Sequence, residues 1–245
     1  MQNLGFTRSA NRHDHLLHTP DTFVRAPLPG MRNAMAIAHI APARGAGFTQ
    51  YTVEFGADGS FECGPAQTFI YVLDGELTLT LHDGECTLTA NHYAYVPRNG
   101  NGRVDAAKGA RAAFIEKPEI EMDGSALSYF SGYEPGVSHT PLPGEPAIEV
   151  RTLFPPDPAY DFAVNTMTYP VGATLPMVEI HIMEHGLLML EGEGIYRLGE
   201  HWYPVKAGDF IWMAPYCPQW YGALGKTPTK YLIYKDWNRH PLHEY

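Results

Sequence analysis

When the 245-residue chain is slid against itself by 117 positions, Tyr71-Val-Leu-Asp-Gly-Glu76 falls on Leu188-Met-Leu-Glu-Gly-Glu193, Leu81 on Leu198 and Ala90 on Ala207, without a gap. Self-similarity over such a span calls for one architecture built twice, and this length leaves each copy the size of an ordinary domain. The break between the copies is expected in residues 118–146. There Gly124, Gly132, Pro135, Gly136, Pro141, Pro143 and Gly144 punctuate a stretch without strong periodicity. Residues 1–34 are then an N-terminal arm, 35–117 a first domain and 147–245 a second.

Each copy reads as short strands. In the first, alternating apolar residues between Ala34 and Phe55 give two strands around a turn from Pro42 to Gly47. Strands at 69–73, 76–81, 86–88 and 93–96 follow, with turns at Asp74-Gly75 and His82-Asp83-Gly84. Asp-Gly before an alternating run is a hairpin signal. In the second copy, 163–169, 194–198, 202–205, 210–213 and 230–235 are strands, and His201 sits at a turn, where it is read as structural. The 21 prolines, 24 glycines and 15 tyrosines, beside only 18% charged residues, agree with an all-β chain.

A formal net charge of −10 does not suit a nucleic-acid partner, whose phosphates need a basic surface, so small molecules are the expected partners. Cys63, Cys86 and Cys217 are too few and too widely spaced for a disulfide framework, and their odd number suits a reducing compartment. No apolar run approaches the roughly 20 residues needed to span a bilayer. Polar residues and histidines occupy the N-terminus, where a signal peptide carries an apolar stretch. A cytoplasmic protein without a membrane partner is expected. His13, His15 and His18, near Arg8, Arg12 and Asp14, could bind metal, but no regular spacing follows them. They are expected in a solvated arm packed across a neighbouring domain or subunit.

The chemistry is concentrated in Glu179-Ile-His181-Ile-Met-Glu-His185-Gly186 and in Gln219. In an extended strand alternate side chains share a face, so Glu179 and His181 can both hold one metal ion, and His185 joins them after a short bend. Two neutral imidazoles and a carboxylate suit a divalent transition metal. An amide oxygen from Gln219 makes the set harder and richer in oxygen, which points to manganese before zinc. Two other readings compete: a helix would also put His181 and His185 on one face, and these could be core histidines with a surface acid. Gly172 and Pro176 before the motif, the apolar run 187–190 after it, and Gly192 and Gly194 closing it favour a strand. Glu184 has the opposite parity to Glu179 and is read as structural.

On these residues the chain resembles the cupin superfamily, and a bicupin in particular. Gly172, Glu179, His181, His185 and Gly192 stand in the places of the first cupin motif. Glu179 replaces its first His and His185 replaces its Glu, so two imidazoles and one carboxylate are still supplied. In the second motif Gly208 matches the early Gly, Ala214 replaces Pro, Tyr216 replaces Gly and Gln219 replaces the last His. The Glu, His, His, Gln set, with Glu-His-Gly around His185 and the stretches 202–209 and 231–236, is similar to the ureidoglycine aminohydrolase family over nearly the whole chain. That resemblance implies two β-barrel (jelly-roll) cupin domains, with Mn2+ on Glu179, His181, His185 and Gln219. It also implies release of ammonia from (S)-ureidoglycine to give (S)-ureidoglycolate in allantoin and purine breakdown. Glu62, Gly64, Thr68 and Gly102 stand at the matching positions one repeat earlier. The first cupin is therefore expected to hold no catalytic metal and to serve packing and assembly.

In that family the lysine matching Lys235 points at the substrate. Strand alternation puts Lys235 on the face of Tyr231 and Ile233, where an inward lysine needs a negative partner such as a carboxylate substrate. The competing reading is a lysine reaching solvent from a strand end. Lys235 and Glu179 are the expected catalytic groups, and Lys235, Glu179, Tyr196 and Tyr231 the expected contacts to a ureido carboxylate. Tyr196 and Tyr231 read equally as core aromatics with satisfied hydroxyls. No general base is identified. A dioxygenase or oxalate-degrading bicupin is a second enzyme reading, against which Gln219 argues because such sites usually keep a third His; a cupin that only binds a small ligand is a third. The 12% aromatic content points to a homo-oligomer.

Overall fold

The computed structural model describes residues 5–122 and 127–239. Residues 1–4 of the expected arm, 123–126 of the expected linker (Gly124 among them) and 240–245 of the expected second domain lie outside the described residues. Among the described residues the chain forms 19 strands and three one-turn 3₁₀ helices, with no α-helix. Among the described residues no helix is long and apolar enough to cross a membrane. The fold is an all-β bicupin with two compact units: Val24–Val137, and Met1–Phe23 together with Ser138–Tyr245.

In the unit Val24–Val137 the long strands Thr49–Glu62 and Gln67–Leu81 carry the barrel. Each pairs along one part with Ala110–Lys117 and along another with Arg103–Ala106. Their inward residues, among them Tyr51, Val53, Phe61, Ile70, Leu77 and Leu79, pack with Phe114 as one apolar core. Phe130–Tyr133, within the expected linker, pairs with His92–Val96.

The sequence repeat reappears as a repeated distortion. Gln67–Leu81 runs unbroken through Asp74-Gly75, where a hairpin was expected. Its register against Ala110–Lys117 shifts between Val72 and Asp74, and Gly75 has φ +78°. One repeat later the register of His185–Glu191 against Thr229–Asp236 shifts between Met189 and Glu191, and Gly192 has φ +73°. A bulge followed by a left-handed residue bends a strand around the barrel instead of reversing it.

The other unit has an eight-stranded sheet. In order it contains Ala10–Asn11, His15–His18, Phe210–Met213, His185–Glu191, Thr229–Asp236, Phe162–Tyr169, Glu145–Thr152 and Thr140–Leu142. A three-stranded sheet sets Glu193–Leu198 between His201–Lys206 and Gln219–Gly222. The start of the chain packs on the second domain through strands of its own rather than as a solvated arm, while His13 stays exposed. Leu17 and His15 are buried, and Arg8 grips both carboxylate oxygens of the fully buried Asp209, which also accepts from the Lys206 amide at 2.9 Å. His201 opens its strand, exposed, and its ring stacks with Tyr203.

Directly paired residues share a face, so the register sorts the barrel interior into layers. His15, Met213, His185, Lys235 and Ala163 stand side by side across five strands. Leu17, Ile211, Leu187, Ile233 and Asn165 form the next layer, and Met189, Tyr231 and Met167 the one below.

A methyl group added at Gly192 would lie 2.5 Å from the Pro228 carbonyl oxygen, in a conformation that L side chains avoid. Gly192→Ala is expected to lower the stability of the fold by about 2 kcal/mol or more, read from the urea midpoint. An unchanged midpoint would show that the bend does not depend on this residue.

Candidate active site

The extended strand expected over 179–185 is an irregular segment instead, and the regular strand begins at His185. Isolated hydrogen bonds, not a ladder, fix its backbone. Glu179 N donates to Gln219 O at 2.8 Å and Gln219 N donates to Glu179 O at 2.9 Å. Tyr216 N donates to the His181 carbonyl at 2.8 Å, and to do so Tyr216 takes φ +63°. A bulky residue there is unusual; it stands where the cupin motif has Gly. Glu184 is buried, accepts from Trp212 Nε1 at 3.1 Å and donates its own amide to Asp236 at 2.6 Å.

These anchors bring the expected ligands together around His181. Its Nε2 lies 3.4 Å from Glu179 Oε2 and 3.2 Å from Gln219 Nε2, and its Nδ1 lies 3.1 Å from His185 Nε2. His185 donates from Nδ1 to the Tyr234 carbonyl at 3.2 Å, which leaves the Nε2 lone pair aimed into the site. Burial, helped by His181 and Lys235, pushes the His185 pKa down to about 3, so the imidazole stays in the neutral form that ligates a metal. Gln219 Oε1 accepts from the Tyr196 hydroxyl at 3.0 Å. A hydroxyl donates or accepts equally well, so the amide can present either end to His181 from the same position. The two imidazoles, carboxylate and amide therefore fit a divalent ion.

Tyr196 and Tyr231 are both buried, and burial raises their hydroxyl pKa values well above the ordinary range. Tyr231 lies 2.6 Å from the Tyr169 hydroxyl and donates to Met167 Sδ at 3.3 Å, so its polar end is satisfied within the core.

Lys235 faces inward in the same layer as His185. Its Nζ lies 4.5 Å from the Trp237 ring centre, and the Asn165 amide oxygen accepts from it at 3.3 Å once the amide is turned to satisfy both neighbours. Among the described residues it has no carboxylate partner, and burial lowers its pKa. The ammonium borders a cavity of about 320 Å³ lined in part by Phe154, Asp157, Tyr160, Asn165 and Trp237, a volume suited to a small ligand, whose lining does not include Glu179, His181, His185 or Gln219. Sequence reasoning missed Asn165 and Trp237. Asn165 was legible as the polar member of an inward set with Ala163, Met167 and Tyr169; Trp237 lies just past its strand, where parity says nothing.

At the matching positions of the other unit, Glu62 is exposed and lies 3.5 Å from Arg103, and the buried Thr68 hydroxyl donates to the Ala66 carbonyl. Elsewhere in the same unit as the site, Asp14, His15 and Cys217 each offer a ligand atom within 4.8 Å of the others, a second possible metal-binding group.

The family model of the cupin domain matches residues 165–234. The chain is 42% identical to the (S)-ureidoglycine aminohydrolase of Arabidopsis thaliana, over 97% of this chain and 80% of that protein. It is 29% identical to the (S)-ureidoglycine aminohydrolase of Escherichia coli, over 91% and 88%. The crystal structure of protein Ylba from E. coli superposes with a TM-score of 0.86 at 26% identity, covering 98% of each chain.

A cation held without an acid destabilises a folded chain. Lys235→Met is expected to be as stable as the parent or up to about 1 kcal/mol more stable in urea at neutral pH. The gap should narrow as pH rises toward 10.5, the ordinary lysine value, because the parent regains stability as its half-buried ammonium loses the proton. A clear loss of stability would instead mean that Trp237 and Asn165 fully compensate the charge.

Proposed function

The chain belongs to the (S)-ureidoglycine aminohydrolase family of the cupin superfamily, and from that premise we propose that it hydrolyses (S)-ureidoglycine to (S)-ureidoglycolate and ammonia. In this reading Glu179, His181, His185 and Gln219 hold one Mn2+. One observation supports it: Glu179, His185 and Gln219 converge on His181, and Lys235 faces inward in the layer of His185 with no carboxylate in ion-pair contact among the described residues. A small carboxylate supplies the missing charge.

The substrate carbon bears an amine, a ureido nitrogen and a carboxylate. The bond to the amine breaks and a bond to a water oxygen forms; one water proton stays on the new hydroxyl and the other leaves with the nitrogen. The bound metal supplies a Lewis acid that steadies the developing charge. Lys235 pairs with the carboxylate and so fixes which face of the carbon meets water. Glu179 adds a carboxylate oxygen that can accept from the substrate amine. Tyr196 steadies Gln219 through its hydroxyl, and Tyr231 packs in the core with its own hydroxyl held by Tyr169. The amide and carboxylate oxygens favour manganese over softer ions.

The test is ammonia release from freshly generated (S)-ureidoglycine by metal-stripped protein, before and after Mn2+ is added, against spontaneous decay of the substrate. Manganese-dependent release well above that background is expected. Glu179→Ala and His181→Ala should lose metal and rate together, whereas Lys235→Met should keep the metal and lose about 100-fold or more in turnover. No acceleration with metal demonstrably bound would sink this assignment.

A further inference from the structure

The histidines near the start of the chain have no part in the hydrolysis, yet one of them lies in a built cluster. Three segments distant in sequence meet there: the bend at Asp14, the turn at Gly199 and the turn from Ala214 to Pro218. Their backbones are tied together, with Ala214 N donating to Asp14 O at 2.9 Å, Gly199 N to Pro218 O at 2.8 Å and Cys217 N to Ala214 O at 3.1 Å. His15 Nδ1 lies 2.9 Å from Asp14 Oδ1, and Cys217 Sγ lies 4.0 Å from Asp14 Oδ2. His15 and Cys217 are 1% and 5% exposed, and Asp14 opens the cluster to solvent.

Two further features suit a bound ion. His15 Nε2 lies 2.9 Å from the Tyr203 hydroxyl, the outer contact that orients a ligating imidazole. Gly199 leaves the space open: a methyl group there would sit 2.9 Å from Asp14 Oδ2 and 3.8 Å from His15 Nδ1. The exposed His13 has Nδ1 3.7 Å from Asp14 Oδ1, within reach as a fourth ligand.

We propose that Asp14, His15 and Cys217 form a second metal site, selective for a zinc-class divalent ion. Thiolate, imidazole and carboxylate make a softer set than the one around His181, and zinc takes such donors tetrahedrally. Across the sheet only Met213 separates His15 from His185. Two strand spacings put the sites roughly 10 Å apart. The ion staples the strand His15–His18 to the turn that leads into Gln219.

The test is titration of the metal-stripped full chain carrying His181→Ala with Co2+. One equivalent should bind with a near-ultraviolet thiolate-to-cobalt charge-transfer band and be displaced by Zn2+. Cys217→Ser should abolish the band, Asp14→Asn should weaken binding at least about tenfold, and Tyr203→Phe about 10–100-fold. The band reports a sulfur ligand, so it reads this site whether or not the assignment around His181 holds. Saturation without the band, or a band that survives Cys217→Ser, overturns the proposal. If Cys217→Ser does not fold, unchanged affinity in Asp14→Asn overturns it.

Discussion

Two backbone hydrogen bonds between Glu179 and Gln219 hold the site together. His185 comes from the eight-stranded sheet and Gln219 from the three-stranded one, and the segment carrying Glu179 and His181 belongs to neither. Without the reciprocal pair, that segment would have no register against Gln219–Gly222. Each such bond contributes about 1 kcal/mol net, so the segment is held by the sum of separate contacts at Glu179, His181 and Glu184. The left-handed Tyr216 belongs to the same arrangement. Its conformation costs about 1–3 kcal/mol, and its amide is what fixes the His181 carbonyl.

Electrostatics within one layer then set the state of the site. His185 and the half-buried Lys235 stand side by side, and the lysine adds to the burial and the His181 ring that oppose charge on His185. The imidazole is therefore neutral, with its Nε2 lone pair turned toward His181. Trp237 and Asn165 give the ammonium a π face and an amide oxygen, neither of which cancels its charge. A carboxylate arriving in the cavity would do so.

Much of this was legible because strand geometry has a short period. Alternation alone placed Lys235 with Tyr231 and Ile233, and the 117-residue offset located matching glycines at 75 and 192. What failed was what depends on distant partners. Asp74-Gly75 signals a left-handed residue, and a hairpin and a bulged bend both need one; the choice falls to pairing with Ala110–Lys117, some 35 residues on. His15–His18 is too short to show a period, and its burial depends on Phe210–Met213. The motif around His181 alternates like a strand, but Met177 and Ile180 point to solvent and no ladder forms. Asp14 and Cys217 are about 200 residues apart, and no local pattern joins them.

The two units show scaffold and site as separable properties. Both keep the bulge, the left-handed glycine and a tight approach of backbone behind it: a methyl group at Gly75 would lie 2.6 Å from the Gly109 carbonyl, much as at Gly192. These features are demanded by barrel closure, which any cupin must achieve. The ligand positions carry no such demand. At Gly64, where the repeat aligns His181, the nearest atom to an added methyl is Glu116 Oε1 at 3.9 Å, so a side chain has room. Glu62 turns instead toward Arg103, and Glu116 accepts from the Tyr51 hydroxyl at 2.7 Å inside the barrel. Residue choice at the ligand positions, together with an irregular segment where the first unit keeps the end of the strand Thr49–Glu62, distinguishes the two interiors.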